Sequence, residues 1–135
     1  MMTHARATTI ARVLLVMLGV MDIIRGLMHT YFVRYAAANI AKMEAHPDAL
    51  FVMGAFGCSN FLTAFIFFLI AWKAKELSGY ILALIPLAYL VGGVGMKVSQ
   101  LSRQSEFNGK YMMTVYLLSC VVVSALFFLS KRKSE

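Results

Sequence analysis

The chain has 135 residues, 61% of them hydrophobic, and a mean hydropathy of +0.76. Soluble domains are roughly 45–50% apolar, so this composition excludes an ordinary water-soluble domain and calls for lipid around the fold. The formal charge is +7. The cations punctuate the ends of apolar runs, and no basic run interleaves with exposed aromatics, so the implied partners are membrane lipid headgroups and not nucleic acid.

Four apolar runs cover about 9–33, 49–72, 78–98 and 111–130. Each approaches the ~20 residues needed to cross a hydrocarbon core. Backbone amides in lipid must be satisfied within the segment, and runs of this length do so as helices. The expected fold is all-α, an integral membrane four-helix up-down bundle. It forms a single membrane domain over 1–135, with no room left for a soluble domain.

The first run is predicted to start near Thr8 or Thr9, either of which can cap a helix. It carries Asp22, Arg25 and His29 at membrane depth, where ionisable groups are costly and mark functional sites. At about 100° per residue, Asp22, Arg25, Gly26, His29 and Val33 fall on one side; Val13, Val20, Ile24, Leu27 and Tyr31 fall on the other. One side therefore faces protein and the other lipid, and Asp22 and Arg25, three apart, can pair. Ala36-Ala37-Ala38 resembles a signal-peptide cleavage site, but the charges at 22 and 25 interrupt the clean apolar core such a peptide needs. Tyr35 to Glu44 is rich in alanine and favours helix, until His46-Pro47-Asp48 stops it.

Pro47 suits the first turn of the second span. Met53, Phe56, Gly57, Asn60, Thr63 and Ala64 share a face there, and Asn60, near mid-span, needs a hydrogen-bond partner. Trp72-Lys73 closes the span at interface depth, and Glu76 to Gly79 turns the chain. The third span has Pro86 inside it, which predicts a kink, and aligns Pro86, Tyr89, Gly93, Lys97 and Gln100. Gly95 and Ser99 fit the small-xxx-small pattern of close helix packing. The polar stretch 101–110 contains the turn signal Asn108-Gly109. The fourth span places Tyr116, Ser119 and Cys120 on one face as packing residues with internally bonded hydroxyls, and Lys131-Arg132-Lys133 follows it as a cytoplasmic anchor.

Four spans put both termini on one side. That side holds Arg6, Arg12, Lys73, Lys75, Lys131, Arg132 and Lys133; the other holds Arg34, Lys42, Lys97, Arg103 and Lys110. The positive-inside rule then favours cytoplasmic termini of a multi-pass cell-membrane protein. Because the chain reverses at each turn, Arg25, His29, Lys97 and Tyr116 share one half of the bilayer, with Asn60 near the midplane. Together with Asp22 and Tyr89 they form the candidate ligand-binding set, beside an apolar region suited to a tail. That pattern describes a site for a lipid, a quinone or another lipophilic small molecule with a polar head. The ten methionines and ten phenylalanines would give it adaptable walls.

Other chemistries have less behind them. Glu44, His46 and Asp48 with His29 lack the spacing of metal motifs, so no metal site is assigned. Cys58 and Cys120 make no CxxC pair and read as buried thiols. As an enzyme, the chain would use His29 as a proton shuttle with Cys58 or Tyr116 reacting. As a purely structural bundle, it would use Asp22 and Arg25 as a clasp.

The pattern Arg12-x-x-Leu15-x-x-x-Gly19 followed by Gly26-x-x-His29, with four spans in this length, resembles the DoxX-like group of small membrane proteins. The resemblance implies a compact four-helix bundle, sometimes associated with membrane redox or sulfur-handling systems. The glutathione-dependent MAPEG enzymes share size, basicity and span count, but Asn60 has no charged neighbour like theirs. Small multidrug exporters keep one membrane acid in the first helix, as Asp22 would be, but theirs is unpaired. The expected function is therefore non-enzymatic or accessory binding of a lipophilic molecule, in a homodimer or a larger membrane complex motivated by the glycines of the third span.

Overall fold

The computed structural model describes residues 3–101 and 109–132. Four helices are long and apolar enough to cross a membrane, and the described residues contain no strand. The expected turn at Asn108, Arg103, and the Lys133 member of the basic cluster lie outside the described residues.

Helix α1 spans His4–Thr30 and starts earlier than Thr8. Thr3 caps it, its hydroxyl accepting from the Arg6 amide at 3.4 Å. Thr8 and Thr9 sit inside the helix and donate their hydroxyls to the carbonyls of His4 and Ala5, both at 3.0 Å. A threonine that back-bonds in this way can be carried within a helix as well as at its cap. The 27 residues of α1 extend ~40 Å, more than a hydrocarbon core requires.

The helical path past the membrane is broken where a continuous helix was expected. The chain leaves α1 at Tyr31, resumes as the short α2 (Val33–Tyr35) and widens into a π-helical turn over Ala36–Ala41. Lys42 ends that turn in the left-handed region, with φ 50°. Helix α3 (Pro47–Lys73) opens on Pro47 as predicted, with Asp48 in its first turn. After a 3₁₀ turn at Lys75–Leu77, α4 (Ser78–Val98) runs unbroken through Pro86, and α5 (Lys110–Arg132) completes the set.

The termini meet at one end of the bundle. His4 Nδ1 lies 3.3 Å from Ser130 Oγ, and Lys131 Nζ donates to the Tyr80 hydroxyl at 2.6 Å. Helix α1 is central: it packs along α3 and also touches α5 and α4, whereas α4 packs mainly on α5. The core of Ala11, Leu15, Leu18, Phe67, Ala71, Leu82, Cys120 and Phe127 fills the half near the termini, with Tyr116 at its upper edge. The burial of α4 ends there too, since only Ser78, Gly79 and Leu82 are buried on it. The bundle is therefore closed at the terminal end and splayed at the other.

Polarity is inverted relative to a soluble domain. Val13, Val20, Ile24, Leu27 and Tyr31 are exposed, while Asp22 on the opposite side of α1 is buried, as the helical wheel predicts. The close helix contacts are made by glycines other than those of the small-xxx-small pattern. Gly19 sits under Phe68 and Gly26 under Phe61, seven residues apart on each helix. Among the described residues, no atom lies near enough to meet a Cβ placed on Gly92, Gly93 or Gly95.

The up-down topology has a direct check. Single cysteines introduced at positions 44, 75 and 132 of a cysteine-free variant are expected to label in two groups from the two faces of membrane vesicles. Position 44 should be reached from one side, and 75 and 132 from the other. Labelling of 75 and 132 from opposite sides would refute the four-span arrangement.

Candidate functional site

A polar cluster lies on the inner side of α1, at the level where the bundle starts to open. Asp22 is 2% exposed, the one charged side chain among the fully buried described residues. Arg25 Nη1 donates to its Oδ1 at 3.1 Å, and the Tyr116 hydroxyl donates to its Oδ2 at 3.3 Å. The i, i+3 pair expected from the sequence is formed. Tyr116 closes it from α5 by bonding across helices, whereas Ser119 bonds locally, to the Tyr116 carbonyl at 2.8 Å.

Asn60 finds its partner one helical turn away. Its amide Nδ2 lies 3.2 Å from His29 Nδ1. An amide nitrogen only donates, so Nδ1 accepts, and a neutral His29 keeps its proton on Nε2. The bond depends on a tight crossing of α1 and α3: a Cβ added to Gly57 would lie 2.9 Å from His29 Cβ and 3.2 Å from the Gly26 carbonyl oxygen.

Two cavities flank these groups. The first, of about 380 Å³, is a cleft between α3 and α4, floored by Asp22, Arg25 and Tyr116. Asn60 and Tyr89 line it at that level, and Ile66, Phe67, Ile81, Leu84 and Ile85 continue it toward the terminal end. It exists because α3 hardly approaches α4 except at their connecting turn. The second, of about 500 Å³, lies nearer the loop end and includes His29, Met28, Ile40, Met112 and Met113. Arg25, Phe56 and Tyr89 line both cavities.

The guanidinium of Arg25 is the notable group. Its side chain is 13% exposed, and its ring neighbour is Phe56, whose centroid lies 6.0 Å from Cζ. Arginine carries five N–H donors. Among the described residues one of them is taken, by Asp22.

Six of the seven candidate residues are thus brought together: Asp22, Arg25, His29, Asn60, Tyr89 and Tyr116. Lys97 is not. It lies exposed near the end of the splayed half of α4 and lines neither cavity. Phe56 was not anticipated as a site residue. Its signal was present, since it lies four residues before Asn60 on the same stripe, and its ring sits 5.7 Å from that of His29. Cys120 is buried in the core as expected, but Cys58 is exposed, so the two do not share an environment. His46 and Asp48 pair loosely at 3.8 Å on the exposed loop.

Compared with models of known protein families, with curated proteins and with solved structures, the chain matches none.

Proposed function

We propose that this chain binds a lipophilic molecule with a polar head, a membrane lipid or a quinone, in the cleft between α3 and α4. The head sits against Arg25, Asn60, Tyr89 and Tyr116, and the tail follows the apolar walls toward the terminal end. The protein acts without catalysis, as a binding protein or as an accessory subunit or homodimer in the cell membrane, with cytoplasmic termini. The likeness of its first helix to the DoxX-like group belongs to the same proposal. The carrying observation is Arg25, which uses one donor on Asp22 while lining a cavity with long apolar walls. Cavities of this size suit small ligands, which bind through a few placed polar groups on a mostly apolar surface.

A structural clasp is the second reading, favoured by Asp22, both of whose oxygens are occupied. The enzymatic reading has less support. Cys58 is exposed, and the Tyr116 hydroxyl is committed to Asp22.

The test is extraction. Protein purified in a mild detergent should release an amphiphile at close to one per chain, read by mass spectrometry. Leu84 lines the cleft but is 54% exposed, so Leu84→Trp fills the cavity and spares the core. That variant should retain about tenfold less, a loss of ~1.4 kcal/mol in binding. Equal retention by both proteins, or none in either, would sink the proposal.

A further inference from the structure

We infer that the head group taken by this cleft is uncharged and presents carbonyl oxygens. The inference rests on the proposed cleft reading and sharpens it. It follows from the balance of charges and of hydrogen-bonding sense around the cavity.

Charge comes first. Among the described lining residues of the two cavities, the ionisable groups are Asp22, Arg25, His29, Tyr89 and Tyr116. Asp22 and Arg25 neutralise each other at 3.1 Å. His29 contributes no cation while Nδ1 accepts from Asn60, because that nitrogen then holds no proton. Lys97 lies away from both cavities. The site is therefore balanced before a ligand arrives. A carboxylate or phosphate entering it would bring a negative charge without a counter-cation into a low-dielectric region, which is heavily disfavoured.

Hydrogen-bonding sense comes second. Each oxygen of Asp22 already accepts one hydrogen bond, Oδ1 from Arg25 and Oδ2 from Tyr116. The remaining N–H groups of Arg25, which lines the cleft, are donors, and among the described residues they have no acceptor. Donors at membrane depth that find no partner cost free energy, and a ligand acceptor recovers it. Carbonyl oxygens supply acceptors without charge. An ester-bearing diacylglycerol and an alkyl quinone share this chemistry and differ in what carries it.

The experiment compares defined probes. Wild-type protein is placed in phosphatidylcholine nanodiscs doped with dioctanoylglycerol, a decyl-chained benzoquinone, dodecanoate, dodecyl phosphate, or hexadecane as a probe without a head. Saturable rises in melting temperature are read for each. At least one neutral carbonyl probe should bind about tenfold or more tightly than either anion, and hexadecane should give no rise. The better of the two neutral probes identifies the carbonyl source. Tighter or equal binding of dodecanoate or dodecyl phosphate overturns the inference and leaves the cleft reading standing. No rise with any headed probe overturns both. Asp22→Asn provides a second arm, since it removes the balancing acid: this variant should reverse the order and favour dodecanoate. An unchanged order in a folded Asp22→Asn protein also overturns the inference; if the variant does not fold, the wild-type order decides alone.

Discussion

Neutralising either Asp22 or Arg25 alone should destabilise the bundle by about 3–5 kcal/mol, and neutralising both should recover most of the loss. The reason is the depth of the pair. Asp22 is 2% exposed, and its oxygens are held by Arg25 at 3.1 Å and Tyr116 at 3.3 Å. Removing one charge strands the other where no water compensates it, whereas the double change leaves two neutral groups that can still hydrogen-bond. Arg25→Gln should be the worse single variant. It strands the more deeply buried group with one neutral donor, while in Asp22→Asn the guanidinium still borders two cavities. The measurement is a thermal melt of Asp22→Asn, Arg25→Gln and the double, each with and without added lipid extract. Equal losses in the singles without rescue in the double would refute the clasp. A stable double variant that keeps the wild-type lipid-induced shift would refute a ligand role for Arg25.

Much of this arrangement was legible in the residues, and what was not has identifiable physical causes. The span count and the inward face of α1 follow from apolar length and a 3.6-residue period, which depend on the chain alone. The Asp22–Arg25 pair is equally local, being one turn of one helix. The need of Asn60 for a partner was readable because an amide at mid-span has no water; that the partner is His29 depends on how α1 and α3 cross. The bond from Tyr116 to Asp22 joins residues 94 apart and depends on the rotation of α5, which no local pattern encodes. The start of α1 was misplaced because a threonine can cap a helix or bond back inside one, and sequence does not separate the two roles. Lys97 misled for a similar reason. Its wheel position aligns it with Tyr89, which lines both cavities, but that face has left them two turns later at Lys97.

Glycine shows the same dependence on what lies opposite, and it gives the second prediction. The glycines at 92, 93 and 95 are the most conspicuous in the chain, yet no atom of the described residues lies within reach of a Cβ there; Gly57, on the second span, is tightly enclosed. A methyl group at Gly57 would lie 2.7 Å from Thr30 Cγ2, 2.9 Å from His29 Cβ and 3.2 Å from the Gly26 carbonyl oxygen. The Thr30 side chain is tethered by its hydroxyl to that same carbonyl at 2.8 Å, and the carbonyl is backbone within the last turn of α1. The methyl can therefore be accommodated only by moving α1 and α3 apart. Gly57→Ala should lose ~1–3 kcal/mol, the usual range for overpacking, against the ~1 kcal/mol that alanine gains over glycine in a helix. Gly54→Ala, on the same helix, meets among the described residues only the His29 carbonyl at 3.8 Å and should be neutral or slightly stabilising. Moving the helices apart also stretches the 3.2 Å contact between Asn60 and His29, so Gly57→Ala should weaken amphiphile retention more than Gly54→Ala does. Melts of the two variants in mixed micelles, read beside the amphiphile released on extraction, test both consequences. If Gly57→Ala proves as stable as Gly54→Ala, the close crossing does not constrain the bundle; if it is less stable but retains the amphiphile fully, the His29–Asn60 contact does not hold the head.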